Sequence, residues 1–423
     1  MIQTIPLSPG VTLRCFQDGR FKQGCLSVQL VRPMDAGEAA MNALLPAVLL
    51  RGTRAHPTLR HITLALDDLY GASVSPLVRR VGDYQTVGLY CGFMDERFAL
   101  PGDRVLEPMA AFLRELLMDS PLENGAFLER FVESEKRNLI SAIECDRNDK
   151  QVYAMGRLLK LVCRADSFGL SRLGEPEEVA AVTAQSLYAH YRKILRESPA
   201  DLFYVGSAPP EQVAQLLAPL LDLPDRAPAA LPPQTDLIPC PGQDVTEGMD
   251  ITQSKLCMGF VTPITERDAR YPAMQLLNQV FGAGMTSKLF MNVREKQSLC
   301  YSIGSAYYGA KGVITVSAGI DGDSRARTQA EIERQLALCA AGEISEEELR
   351  SAKEGVLSGL RAAHDSPGSI ESYYSRCVLS GAMITPQEYM ERIQAVQLPR
   401  LAEAAGTIRL HSTYFLTEGR AGR

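Results

Sequence analysis

No stretch of this chain of 423 residues approaches the roughly 20 consecutive apolar residues that a membrane-spanning helix needs. The opening Met1-Ile2-Gln3-Thr4-Ile5-Pro6 has neither the basic flank nor the apolar core of a signal peptide. Both absences lead us to expect a cytoplasmic protein with no membrane partner. The 10 cysteines, scattered from Cys15 to Cys377, contain no C-x-x-C pair and no histidine at metal-ligand spacing beside them. That excludes a disulfide framework or zinc ribbon and predicts that most are buried small hydrophobes. Basic blocks are also missing. With 44 Lys and Arg against 50 Asp and Glu, a formal charge of -6 gives no electrostatic footprint for nucleic acid or anionic lipid. A Gly-x-Ser-x-Gly elbow is absent as well, and no histidine stands near Cys300 in the sequence.

What the chain does have is length, 46% hydrophobic content and an internal echo. Each half opens on an alternating run, Leu26-Val28-Leu30 and Leu256-Met258-Phe260, which is the period of a half-buried strand. An amphipathic helix follows in each, carrying Leu44, Leu45, Val48 and Leu49 before Gly52, and Leu276, Leu277, Val280 and Phe281 before Gly284. Further on, the helical stretch 135–143 parallels 352–360. Prolines crowd 223–242 at positions 224, 228, 232, 233, 239 and 241, too densely for a helix or a central strand. The expected division is therefore a domain over 1–222, a linker over 223–242 and a domain over 243–423. Each domain reads as α+β, a sheet with helices packed on one face. Residues 418–423 read as a loose tail.

The segment Gly284-Met285-Thr286-Ser287-Lys288-Leu289-Phe290-Met291-Asn292-Val293-Arg294-Glu295-Lys296-Gln297-Ser298-Leu299-Cys300-Tyr301-Ser302 resembles the second-domain signature of the pitrilysin/insulinase zinc peptidases, and the order of elements resembles that family's short members of two homologous domains. The resemblance implies a mitochondrial-processing-peptidase-like fold with mostly antiparallel sheets. Active members hold zinc through H-x-x-E-H on the first helix of the first domain and a Glu on a later helix. Aligning on Arg51-Gly52-Thr53 puts Ala43-Leu44-Leu45-Pro46-Ala47 at that motif and Ser141-Ala142 at the distal ligand. Ala43, Pro46, Ala47 and Ala142 are thus degenerate metal positions. Pro46 removes a helix N–H and favours a kink or a late helix start. His56 and His61, five apart with no acid between them, are expected at the surface or in caps, so no intrinsic metal site and no cofactor is expected in this chain.

The resemblance also implies that Arg294 and Tyr301 reach toward a zinc site in an opposing domain, where they would hydrogen-bond substrate backbone and a developing oxyanion. Glu295 and Lys296 have no catalytic role on this reading. Gly282 and Gly284 are weaker substrate-contact candidates, as are Ala72 and Ser73 on a segment that resembles the family's edge strand for pairing with substrate. The implied function is that of a metal-free subunit in a heterodimer with a homologous, zinc-bearing peptidase chain, acting on short or unfolded peptides, with a homodimer open to the isolated chain. Two rivals stand beside it. One is a scaffold role like that of the core subunits of the respiratory bc1 complex, and the other is a peptide-binding module or an enzyme with other chemistry, a Cys300 nucleophile included.

Overall fold

The computed structural model describes residues 2–223 and 225–419. Pro224 of the proline-rich stretch and residues 420–423 of the expected tail lie outside the described residues. Two compact units are present. The first comprises 1–144, 170–233 and 364–379, and the second comprises 145–169, 234–363 and 380–423. The chain is mixed α+β, and most strand pairs are antiparallel. No described helix is long and apolar enough to cross a membrane.

The internal echo extends to strand order. In the first unit a sheet runs Gln3–Ser8, Val11–Gln17, Ala200–Gly206, Gln23–Pro33, Tyr84–Met94, Ser73–Val81, and in the second it runs Asp244–Met249, Arg409–Glu418, Ser254–Val261, Val313–Ile320, Ser302–Tyr308. After the extra edge strand of the first, the two orders correspond one to one. Both share a parallel pair at the same place, Val11–Gln17 with Ala200–Gly206 and Asp244–Met249 with Arg409–Glu418. Each unit has its own core. In the first, Leu26, Val28 and Leu30 of the sheet meet Leu44, Leu45, Val48 and Leu49 of the helix Ala36–Leu49. In the second, Leu256, Met258 and Phe260 meet Leu276, Leu277, Val280 and Phe281. Each of these aliphatic and aromatic side chains contributes about 1.5–3 kcal/mol on full burial.

The alternation predicts half-buried strands, yet Gln23–Pro33 is buried on both faces over most of its length. The cause is a helix from far along the chain. Pro367–Ser380 belongs to the first unit, and its fully buried Glu371 accepts hydrogen bonds from Ser27 Oγ and Gln29 Nε2, both at 2.7 Å. Ser375 Oγ donates to Gln29 Oε1 at 2.8 Å. The second unit repeats the device with Lys150–Val162, whose Ala154, Leu158 and Val162 pack with Cys257, Val313, Tyr414 and Leu416. Gly259 permits this approach, because a Cβ there would lie 2.4 Å from Val162 Cγ2. Each unit therefore draws one helix from the other half of the sequence.

Part of the proline-rich stretch is fastened within the second unit. Lys311 Nζ reaches Asp166 Oδ2 at 3.2 Å with both side chains out of solvent, and donates to Thr235 O and Thr235 Oγ1 at 3.1 Å. Asp166 in turn accepts from Ile238 N at 3.0 Å. Burying a charge is costly unless it is paired and hydrogen-bonded, and both groups here are.

Candidate functional site

The helix Ala36–Leu49 begins where Asp35 accepts a bond from Gly37 N at 2.8 Å. The late start expected from Pro46 does not occur. The helix continues through Pro46 to Leu49, although the proline forgoes the N–H bond to Asn42 O and its ring crowds that carbonyl. Ala43 and Pro46 are buried and Ala47 is half-buried. One turn earlier, the fully buried Asn42 donates to Gln85 Oε1 at 2.8 Å and accepts from His190 Nε2 at 2.7 Å. Burial pushes the His190 imidazole down to about 4, so it is neutral and acts as a hydrogen-bonding core residue. On the helix Glu129–Asn148, Ser141 and Ala142 are exposed, while Glu135 pairs with Arg51 at 3.2 Å.

The metal ion that the resemblance implies finds no fit at these positions. Ala43, Pro46, Ala47 and Ala142 offer no carboxylate, imidazole or thiolate. Among the described residues, no group of three or more His, Cys, Asp or Glu side chains is placed to hold an ion. His61 sits in the cap of its helix, 2.7 Å from Thr58 Oγ1, and the partly exposed His56 bonds Glu115 Oε1 at 2.7 Å.

In the second unit the helical segment from Tyr271 widens into π-type turns at Gln279–Ala283, and a second π-helical segment spans Leu289–Lys296. Such wide turns are rare and occur frequently at functional sites. Arg294 lies in the last turn of the second. Its guanidinium stacks 4.6 Å over the Phe290 ring and stands 3.8 Å from Glu295, with 40% of the side chain exposed. The chain turns at Ser298, which holds a left-handed φ of 51°. Tyr301 precedes the strand Ser302–Tyr308 and donates its N–H to Gly319 O at 2.8 Å. The residue is 60% exposed. The Tyr301 hydroxyl donates to Asp321 Oδ1 at 3.1 Å, and this bond together with the Asp321 charge holds the phenol above its usual pKa.

Sequence reasoning missed two of these supports. Phe290 and Arg294 are an i, i+4 pair, so that contact was available from spacing. Asp321 comes beside Tyr301 only through the pairing of Ser302 with Gly319.

The Peptidase M16 inactive domain model matches residues 181–356. A probable inactive metalloprotease of Bacillus subtilis, YmfF, is 29% identical over 412 residues, 97% of each chain. A conserved protein from Enterococcus faecalis superposes over the whole of both chains with a TM-score of 0.92 at 28% identity. An M16 inactive-domain structure from Pseudomonas fluorescens gives 0.81 over 100% of this chain at 14% identity, a likeness of fold. The chain is thus similar to M16, or pitrilysin-type, peptidases and to their inactive members in particular.

The remaining candidates lie in different settings. Gly282 is buried, and a Cβ there would come 2.7 Å from both Leu289 Cδ1 and Ser305 Oγ, so packing alone demands a glycine. Gly284 ends the first π segment. Ala72 is buried, whereas Ser73 begins the strand Ser73–Val81 at the edge of its sheet, with one side paired and the other open. The buried Cys300 thiol is pushed up to about 11 by burial, which keeps it protonated near neutral pH and unsuited to nucleophilic attack. Lys296 Nζ bonds Asn292 Oδ1 at 3.0 Å and is otherwise at the surface.

Proposed function

We propose that this chain is the metal-free subunit of a heterodimeric zinc peptidase acting on short or unfolded peptides in the cytoplasm. One observation carries the reading. The chain retains an exposed, well-supported Arg294 and Tyr301 on a chain whose own metal positions hold no donor. A scaffold has no use for such a pair, and an enzyme working alone would need the missing ligands. In the partner, bound zinc would activate the attacking water and polarise the scissile carbonyl. This chain's part is to bind and orient. Arg294, which offers up to five donors in a fixed fork, holds the substrate backbone and the developing oxyanion, while Tyr301 swings from Asp321 to donate one more bond. Ser73 at the sheet edge is the further candidate for backbone pairing with peptide.

The test is reconstitution with the homologous zinc-bearing chain from the same host, comparing wild type with the Arg294→Ala/Tyr301→Phe double variant. Unchanged peptide cleavage by a correctly assembled double variant sinks the catalytic contribution. A stable pair that cleaves no peptide returns the scaffold reading.

A further inference from the structure

We infer a second, separate ligand site in the first unit, a recess of about 200 Å³ that takes a small aromatic or branched aliphatic carboxylate. One helix face contributes five of its thirteen lining residues. On Ala184–Glu197 the residues Tyr188, Tyr191, Arg192, Leu195 and Arg196 recur at i, i+3, i+4, i+7 and i+8 and all line the recess. Arg114 and Met118 enter from the helix Leu106–Met118, again one turn apart, and Pro219 and Leu220 close the floor.

Size and lining set the apolar half of the ligand. An apolar cavity of about 150 Å³ holds a benzene ring, so this volume suits one ring or a branched side chain. Tyr188 extends an aromatic wall, with Phe127 and Tyr191 at ring distances of 5.4 and 5.8 Å. Charge sets the polar half. Arg192 faces Asp225 at 3.8 Å and Arg196 pairs with Glu197 at 2.7 Å. Arg114 donates only to Pro219 O, at 3.1 Å, and meets no carboxylate among the described residues. One guanidinium is therefore unanswered, which suits a monoanion, and its planar fork matches a carboxylate. Ser120 is also among the lining residues, and its Oγ is shielded from solvent and has no hydrogen-bond partner. A buried hydroxyl left unpaired is unfavourable, and a χ1 rotation that turned it into the recess would let a carboxylate oxygen accept from it. The shared chemistry is that of a free hydrophobic acid or of the C-terminal residue of a peptide.

The experiment is calorimetric titration of the full chain with 3-phenylpropionate, its neutral amide, N-acetylphenylalanine and the tripeptide Ala-Ala-Phe. The carboxylates should bind saturably, and the amide at least about tenfold more weakly. Arg114→Gln should weaken the acids by a similar factor at unchanged melting temperature, because Arg114 is exposed. Leu122→Trp, at the exposed rim, should block all four probes. Tighter binding of the tripeptide than of N-acetylphenylalanine assigns a peptide C-terminus, and equal binding assigns a free acid. Absence of saturable binding, an amide as tight as the acid, or indifference to Arg114→Gln overturns the site. None of these outcomes depends on cleavage by a partnered peptidase.

Discussion

Arg79 grips Glu371 with both arms of its guanidinium, Nη1 to Oε1 at 3.1 Å and Nη2 to Oε2 at 2.8 Å, across 292 positions of sequence. Glu371 has no exposed surface, while Arg79 keeps 30% of its side chain in solvent. Removing one partner of a buried pair leaves the other desolvated and unanswered, at about 3–5 kcal/mol. The partial exposure of Arg79 puts this pair near the lower end. Arg79→Ala should therefore destabilise the first unit by about 3 kcal/mol. Glu371→Gln combined with Arg79→Leu should recover part of that loss, because no charge is then stranded and the amide oxygen still accepts from Ser27 and Gln29. Urea unfolding checks both, and an unchanged midpoint for Arg79→Ala would show that the pair does not hold this helix.

The same pair marks where sequence reading stops. Leu44, Leu45, Val48 and Leu49 and their counterparts from Leu276 to Phe281 announce helices through spacing, and the alternating runs announce the central strands. The fold class and the duplication follow from those patterns, while the degenerate metal positions Ala43, Pro46, Ala47 and Ala142 are what the family resemblance implies. What periodicity cannot say is which sheet a helix covers. Nothing near Glu371 in sequence signals Ser27, Gln29 and Arg79, so an acid on that helix reads as solvated. Ser27 and Gln29 likewise read as the wet face of a strand. Asp321 is hidden for the same reason, since its value to Tyr301 is a matter of strand register. Pro46 shows the opposite limit, because a local rule forecast a kink or a late helix start, and of these the late start does not occur, the helix running from Ala36 to Leu49.

Asp321 is what holds the Tyr301 phenol high. Asp321→Asn removes the charge and leaves a weaker acceptor, so the Tyr301 pKa should fall back toward the ordinary value near 10. The titration can be followed by the ring carbon shift in NMR. On the proposed function, Tyr301→Phe should lower the turnover of the reconstituted pair by about 10²–10³, as for loss of one oxyanion donor. Asp321→Asn should change it far less. A pKa indifferent to Asp321 would remove the physical link between the two residues.

His190 makes stability depend on pH in a predictable sense. Its folded value, near 4, lies below the reference of 6.5, so the unfolded chain takes up its proton first as pH falls. Stability should drop between about pH 6.5 and 4, by on the order of 3 kcal/mol if the shift is fully expressed. Glu38 opposes this shift while Arg32 and Lys193 reinforce it. Glu38 is itself held low. Burial works to raise it, but bonds from Lys193 and Arg32 prevail, so its own contribution is lost only at more acidic pH. His190→Gln can keep the bond to Asn42 without the titration and should flatten the profile above pH 4.5. A wild-type profile already flat there would mean that His190 is not buried neutral.

The degenerate metal positions can be tested by restoring the ligands. Because the helix runs unbroken through Pro46, positions 43 and 47 stand one turn apart on the same face. The combined variant Ala43→His/Pro46→Glu/Ala47→His/Ala142→Glu should then bind about one zinc per chain, with two imidazoles and one carboxylate as ligands. The half-buried Ala47 and the exposed Ala142 accept larger side chains readily. Ala43 is only 7% exposed, so a histidine there should cost about 1–3 kcal/mol of overpacking. Removing Pro46 from the helix interior offsets part of this by returning an N–H to Asn42 O. Metal analysis and the visible absorption of bound cobalt report the outcome, and Ala142→Glu omitted from the set should weaken binding. A variant that keeps the wild-type circular dichroism yet binds no zinc would show that these four positions do not converge, and the alignment that makes this chain a metal-free counterpart of an active peptidase would fail with them.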